Sequence, residues 1–155
     1  MPTRIGRIDL VGEALSRLSP EVEADRAQAI ADLLHENRFV PASAPAGPYA
    51  LRLSILEGRL GIEVNAMDDA PLTAVVLALG PFRSLIKDYL MMLDAHAQAV
   101  ADGLDARIEA IDMGRRGLHN EGAELLITRL AGKIELDFDT ARRLFTLVAV
   151  LHQRS

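Results

Sequence analysis

A chain of 155 residues with a formal charge of −5, 50% hydrophobic, 25% charged and 4% aromatic residues, has the composition of an ordinary globular protein with one core. Its negative balance and few rings exclude a general nucleic-acid binder, which needs cations along the phosphates and aromatic platforms for the bases. Its length fits a single domain spanning 1–155, and the absence of cysteine excludes disulfides, thiolate nucleophiles and cysteine-held metals and fits a reducing, cytoplasmic compartment.

Ile5 to Val11 alternates weakly, with Ile8 and Leu10 on one face, and reads as a first strand. Ser19 as N-cap, Pro20 at the first helical position and the acidic Glu21 and Glu23 open a helix. Its apolar stripe runs through Val22, Ile30, Leu33 and Leu34, and it should fade near Asn37–Arg38. Val40 to Pro48, rich in proline, is expected to be an exposed connector. Tyr49, Leu51, Leu53 and Ile55 alternate against polar or small residues, Glu57-Gly58-Arg59 turns, and Leu60, Ile62 and Val64 return. A third strand, Leu72–Leu79, is apolar without a break at Val75-Val76-Leu77, which suggests a central strand or one covered on both faces.

The remaining half is helical. Phe82, Leu85, Ile86, Tyr89, Leu90, Leu93, Ala97 and Val100 keep helical spacing up to Gly103, with Met91 and Met92 read as core gap-fillers. A short helix capped by Asp105 should stop at Gly114, and another should run from Glu121 to Ala131. A last one is entered from Asp137 or Asp139, with Phe138 in the core. Apolar residues from Leu144 to Leu151 wrap much of this last helix, placing it in the centre of the core or at a homo-oligomer interface. The fold class is α+β: a short antiparallel β-meander of three to four strands, covered on one face by helices, with a helical C-terminal half. No targeting segment or membrane partner is expected. Arg4, Arg7 and Asp9 interrupt the N-terminus, and the longest uncharged apolar stretch, 70–82, is far short of the ~20 residues that span a bilayer.

One segment departs from packing logic: Ile111-Asp-Met-Gly-Arg-Arg-Gly-Leu-His-Asn-Glu-Gly122. Its glycines, read as a loop from Gly114 to Gly122, let backbone N–H groups approach a ligand, and the helix expected after it offers a positive dipole end. Arg115, Arg116, Gly117, His119 and Asn120 are therefore the candidate ligand-binding residues, with an anionic small molecule or a partner's acidic group as the ligand. The spacing matches neither common phosphate-binding glycine motif. The competing reading pairs both arginines internally with Glu109, Asp112 and Glu121, leaves Asn120 as a helix cap, and makes the glycines simple helix breaks. A second function class is acid–base catalysis by His119 with Glu121 or Asp112. It is the less favoured, because His119 and Glu121 would point apart on a helix and a capping or buried hydrogen-bonding histidine is commoner, and no serine in a nucleophile elbow strengthens it. A third class is a structural subunit of a larger assembly. His35, His96, His119 and His152 are scattered, so no metal site is expected, and no cofactor. Asp137-Phe-Asp139 reads as a helix entry whose acids offset Arg142 and Arg143.

The blocks Ile111–Gly122 and Asp137–Leu147, together with Ser19–Glu23, Glu36–Phe39, Gly47–Tyr49 and Pro81–Arg83, resemble those of a small alphaproteobacterial family known as uncharacterised protein family two-six-two. The resemblance covers nearly the whole chain. It implies a bacterial cytosolic origin and carries over no activity or site residue.

Overall fold

The computed structural model describes residues 3–12 and 18–152. In chain order its elements are β1 (Ile5–Val11), α1 (Pro20–His35), β2 (Phe39–Pro41), β3 (Tyr49–Leu56), β4 (Arg59–Ala66), β5 (Pro71–Ala78), α2 (Arg83–Ala101), α3 (Asp105–Leu130), β6 (Ile134–Leu136) and α4 (Phe138–His152). A short 3-10 turn at Gly80–Phe82 leads into α2. The class is α+β, with the expected meander and helical second half.

The meander forms through a two-residue turn, Glu57-Gly58, whose φ angles of 53° and 74° are both positive. That backbone matches the right-handed twist of the flanking strands, so Leu56 pairs with Arg59 and the register runs back to Tyr49 opposite Ala66. β1 joins this sheet parallel to β3, giving the order β1-β3-β4-β5 and making the sheet mixed. One face buries Ile8, Leu51, Leu53, Leu60, Ile62, Val64, Val75 and Leu77 under the helices. The other carries the exposed Arg52–Glu63 ion pair. β5 is an edge strand, not the central or doubly covered one that its apolar run suggests, and Val76 is 56% exposed. Its small outward neighbours Ala74 and Ala78 make the run read as continuous without any second layer above it.

α4 is the centre of the core. Ten of its fifteen residues are buried, including every one from Leu144 to Leu151, because α1, α2, α3 and the sheet surround it. Its apolar circumference is thus covered within one chain. Asp137 caps it, accepting from the Thr140 N–H at 3.0 Å, but Phe138 is 39% exposed and not in the core. Met91 likewise faces outward at 58% exposure, and only Met92 fills a gap. The expected connector begins inside β2, sharing Val40 and Pro41 with it, and β2 pairs antiparallel with β6. Both strands are three residues long, too short for a period-2 pattern to show.

α1 starts as expected, with the Ser19 hydroxyl accepting from the Val22 N–H at 3.3 Å. Its far end is tied to the sheet by Asn37, whose amide takes the Ile5 N–H at 2.7 Å and donates to Ile5 O at 3.0 Å and Leu33 O at 2.8 Å. One side chain thus serves a strand end and a helix end together. Asn37→Ala should cost about 2 kcal/mol, since it strands partly buried backbone groups, read as a lowered midpoint in urea unfolding.

Candidate functional site

The segment expected to be a loop is helix. α3 runs unbroken from Asp105 to Leu130; Leu104 occupies its N-cap position without any side-chain cap, and Asp105 is its first residue instead of its cap. The glycines persist because two of them are packing contacts. A Cβ on Gly122 would lie 2.4 Å from the Phe145 ring, and one on Gly114 would lie 2.8 Å from Met92 Cε. Both positions let a neighbouring helix approach closely. Gly117 meets nothing within 4 Å. With no helix starting near Glu121, the dipole end and free N–H groups expected there do not exist.

Helical phase then sorts the candidate residues. Arg115 and His119, four apart, lie on the inner stripe that continues through Gly122, Ala123, Leu126 and Leu130. Arg116, Gly117, Asn120 and Glu121 are exposed on the outer side. Asp112 is engaged elsewhere, 3.4 Å from His96 Nε2 and 3.8 Å from Arg115 Nη2. Neither Glu121 nor Asp112 forms a hydrogen bond or ion pair with His119.

His119 instead opens onto a cavity of about 190 Å3 between α1, α3 and α4, lined also by Asp25, Asp32, Arg142, Arg143 and Thr146. Its Nε2 lies 3.0 Å from Thr146 Oγ1. The Thr146 hydroxyl donates to Arg142 O at 3.3 Å, so it accepts from a protonated Nε2 and leaves Nδ1 as an acceptor. The ring packs against Tyr89, centroids 4.9 Å apart, and Tyr89 in turn meets Phe145 edge-on at 5.9 Å. Burial, and then the charges of Arg142, Arg115 and Arg143, push the His119 pKa down from 6.5 to about 4. The imidazole is therefore neutral at physiological pH.

The charged walls are incompletely paired. Arg142 reaches Asp139 at 3.6 Å and Arg143 reaches Asp32 at 3.9 Å, contacts longer than a charge-assisted hydrogen bond. Arg143 also donates to Asp139 O at 3.1 Å. Among the described residues, five buried side-chain polar atoms make no hydrogen bond, and three of them, Asp25 Oδ2, Arg142 Nε and Arg143 Nε, belong to residues that line this cavity; of these, Arg143 Nε is the atom that faces Asp32 at 3.9 Å. Burial raises the Asp25 pKa, and the Arg115 charge opposes that shift. Two guanidinium groups can thus receive an anion, beside an imidazole and a hydroxyl whose protons are already engaged and a carboxylate that is itself poorly solvated. Among the described residues no three His, Asp or Glu side chains converge as a metal site, and no helix is long and apolar enough to cross a membrane.

Of the residues around this cavity, Arg115 and His119 stand out in the sequence, whereas Asp25 and Thr146 do not, and Arg142 and Arg143 read there only as helix-entry charges. The available signal was the i, i+4 spacing of Arg115 and His119 in register with Leu126 and Leu130, obscured by three glycines in nine residues. Asp25 and Asp32, seven apart on α1, carried a similar cue, since that spacing puts them on one face.

The Uncharacterised protein family (UPF0262) matches residues 2–154. The UPF0262 protein of Granulibacter bethesdensis is 59% identical, the alignment covering 97% of this chain and 90% of that protein. That of Acidiphilium cryptum is 57% identical over 98% of this chain and 94% of its own length. The Rhizobium meliloti protein is 49% identical over 94% and 92%. No solved structure matches the chain. With the match running almost end to end, the resemblance of the sequence blocks holds, and the chain belongs to the Uncharacterised protein family (UPF0262).

Proposed function

We propose that this protein is a binding module whose ligand places an anionic group in the cavity between α1, α3 and α4. The observation that supports it is the pair of arginines lining that cavity, neither of whose Nε atoms makes a hydrogen bond, Arg143 Nε reaching only a long ion pair to Asp32 at 3.9 Å. Arg142 and Arg143 receive the anion, Thr146 and His119 form the floor beneath it, and Arg115 adds positive potential from α3. The segment 114–122 contributes through its inner face alone, so Arg116, Gly117 and Asn120 take no part. Acid–base catalysis is less well supported. A histidine held neutral with a pKa near 4 is a weak base at neutral pH, where catalysis favours a group titrating nearby.

Thermal unfolding with increasing propionate or inorganic phosphate at pH 7 tests this reading. A saturable rise in Tm is expected for the wild type and for Arg116→Ala, and its loss is expected in Arg142→Ala. No rise with either anion, or an equal rise in Arg142→Ala, would overturn it.

A further inference from the structure

The cavity has walls of opposite sign. Asp25 and Asp32 lie two turns apart on α1 and share a face, while α4 presents Arg142 and Arg143 to the same space. Buried atoms without a hydrogen bond occur on both sides, an acceptor at Asp25 Oδ2 and donors at the two arginine Nε atoms, that of Arg143 lying 3.9 Å from Asp32 Oδ2. A simple anion would leave the Asp25 acceptor unmet and bring a second negative charge beside it. A simple cation would do the same to the arginines. At about 190 Å3, the space holds about half a dozen water molecules, and so a ligand of similarly few heavy atoms.

We infer, building on the anion-binding reading, that the cavity takes a small amino-carboxylate, with its carboxylate on Arg142 and Arg143 and its ammonium group on Asp25. The long Arg143–Asp32 contact of 3.9 Å opens as the ligand's carboxylate takes over the guanidinium, and Asp32 turns to the ammonium group as its second acceptor. Burial raises the Asp25 pKa by more than the Arg115 charge lowers it, and an ammonium group beside Asp25 Oδ2 would supply the hydrogen-bond donor that this oxygen lacks.

Calorimetric titration of the wild type at pH 7 with L-alanine, propionate and methylammonium tests the inference. L-Alanine is expected to bind at least about tenfold more tightly than propionate, the worth of one charge-assisted hydrogen bond, and methylammonium is expected to bind least. Asp25→Asn should erase the preference for alanine while keeping propionate binding. Propionate binding as tightly as alanine in the wild type would overturn the amino-carboxylate and leave the anion reading standing. Binding of neither would overturn both. Should Asp25→Asn fail to fold, the wild-type order of the three probes decides alone.

Discussion

Gly122→Ala is expected to destabilise the protein by about 3 kcal/mol, at the upper end of overpacking penalties, while Gly117→Ala, five residues earlier on the same helix, is expected to stabilise it by about 0.5–1 kcal/mol. The substitution is the same and only the surroundings differ. At Gly122 the new methyl would stand 2.4 Å from the fully buried ring of Phe145. Neither partner can retreat, because Phe145 sits on the central helix and also meets Tyr89. At Gly117 nothing lies within 4 Å, so alanine adds only helix propensity and a less free unfolded chain. Chemical denaturation of the two variants reads both signs. A stabilised Gly122→Ala would contradict the close α3–α4 packing, and a destabilised Gly117→Ala would contradict an unbroken α3.

Acidification from pH 7 to pH 4 should remove up to about 3 kcal/mol of stability through His119. Its folded pKa of about 4 lies below the unfolded value of 6.5, so in this window the unfolded chain takes up the proton and the folded chain does not. The contribution is whole above pH 6.5, declines as pH falls, and levels off below 4. Partial exposure of the ring lets solvent soften the loss, so the figure is an upper bound. His152, also lowered by burial, acts in the same direction, whereas Asp25, raised by burial, opposes it. The comparison between wild type and His119→Gln isolates the histidine, because glutamine keeps a donor for Thr146 and does not titrate. Stability curves that converge as pH falls are expected, and curves parallel across the window would exclude a proton-excluding pocket around His119.

Strands β3 to β5, α1 and α2 were legible because each carries several turns or alternations of its own period, with start and stop residues such as Ser19, Pro20 and Gly58. β6 and β2 were hidden, since three residues make no period and their pairing spans about a hundred residues of chain. α3 was misread for a physical reason. Glycine weakens a helix locally, yet Gly114 and Gly122 are where Met92 and Phe145 come close, and that packing outweighs propensity. The site followed the same logic. Arg115 and His119 were legible as reactive residue types, but their grouping with Asp25, Arg142 and Thr146 depends on three helices meeting, which local patterns do not encode. β5 shows the converse error, where Val75-Val76-Leu77 looks doubly covered although one side faces solvent.

The cavity between α1, α3 and α4 is tested most directly by following the His119 imidazole in 1H–15N correlation spectra as L-alanine is added at pH 7. A saturable shift of its ring nitrogens, absent in Arg142→Ala, is the expected result. Ring signals that stay in place while the protein remains folded would mean that the arginines and acids around His119 only hold the helices together.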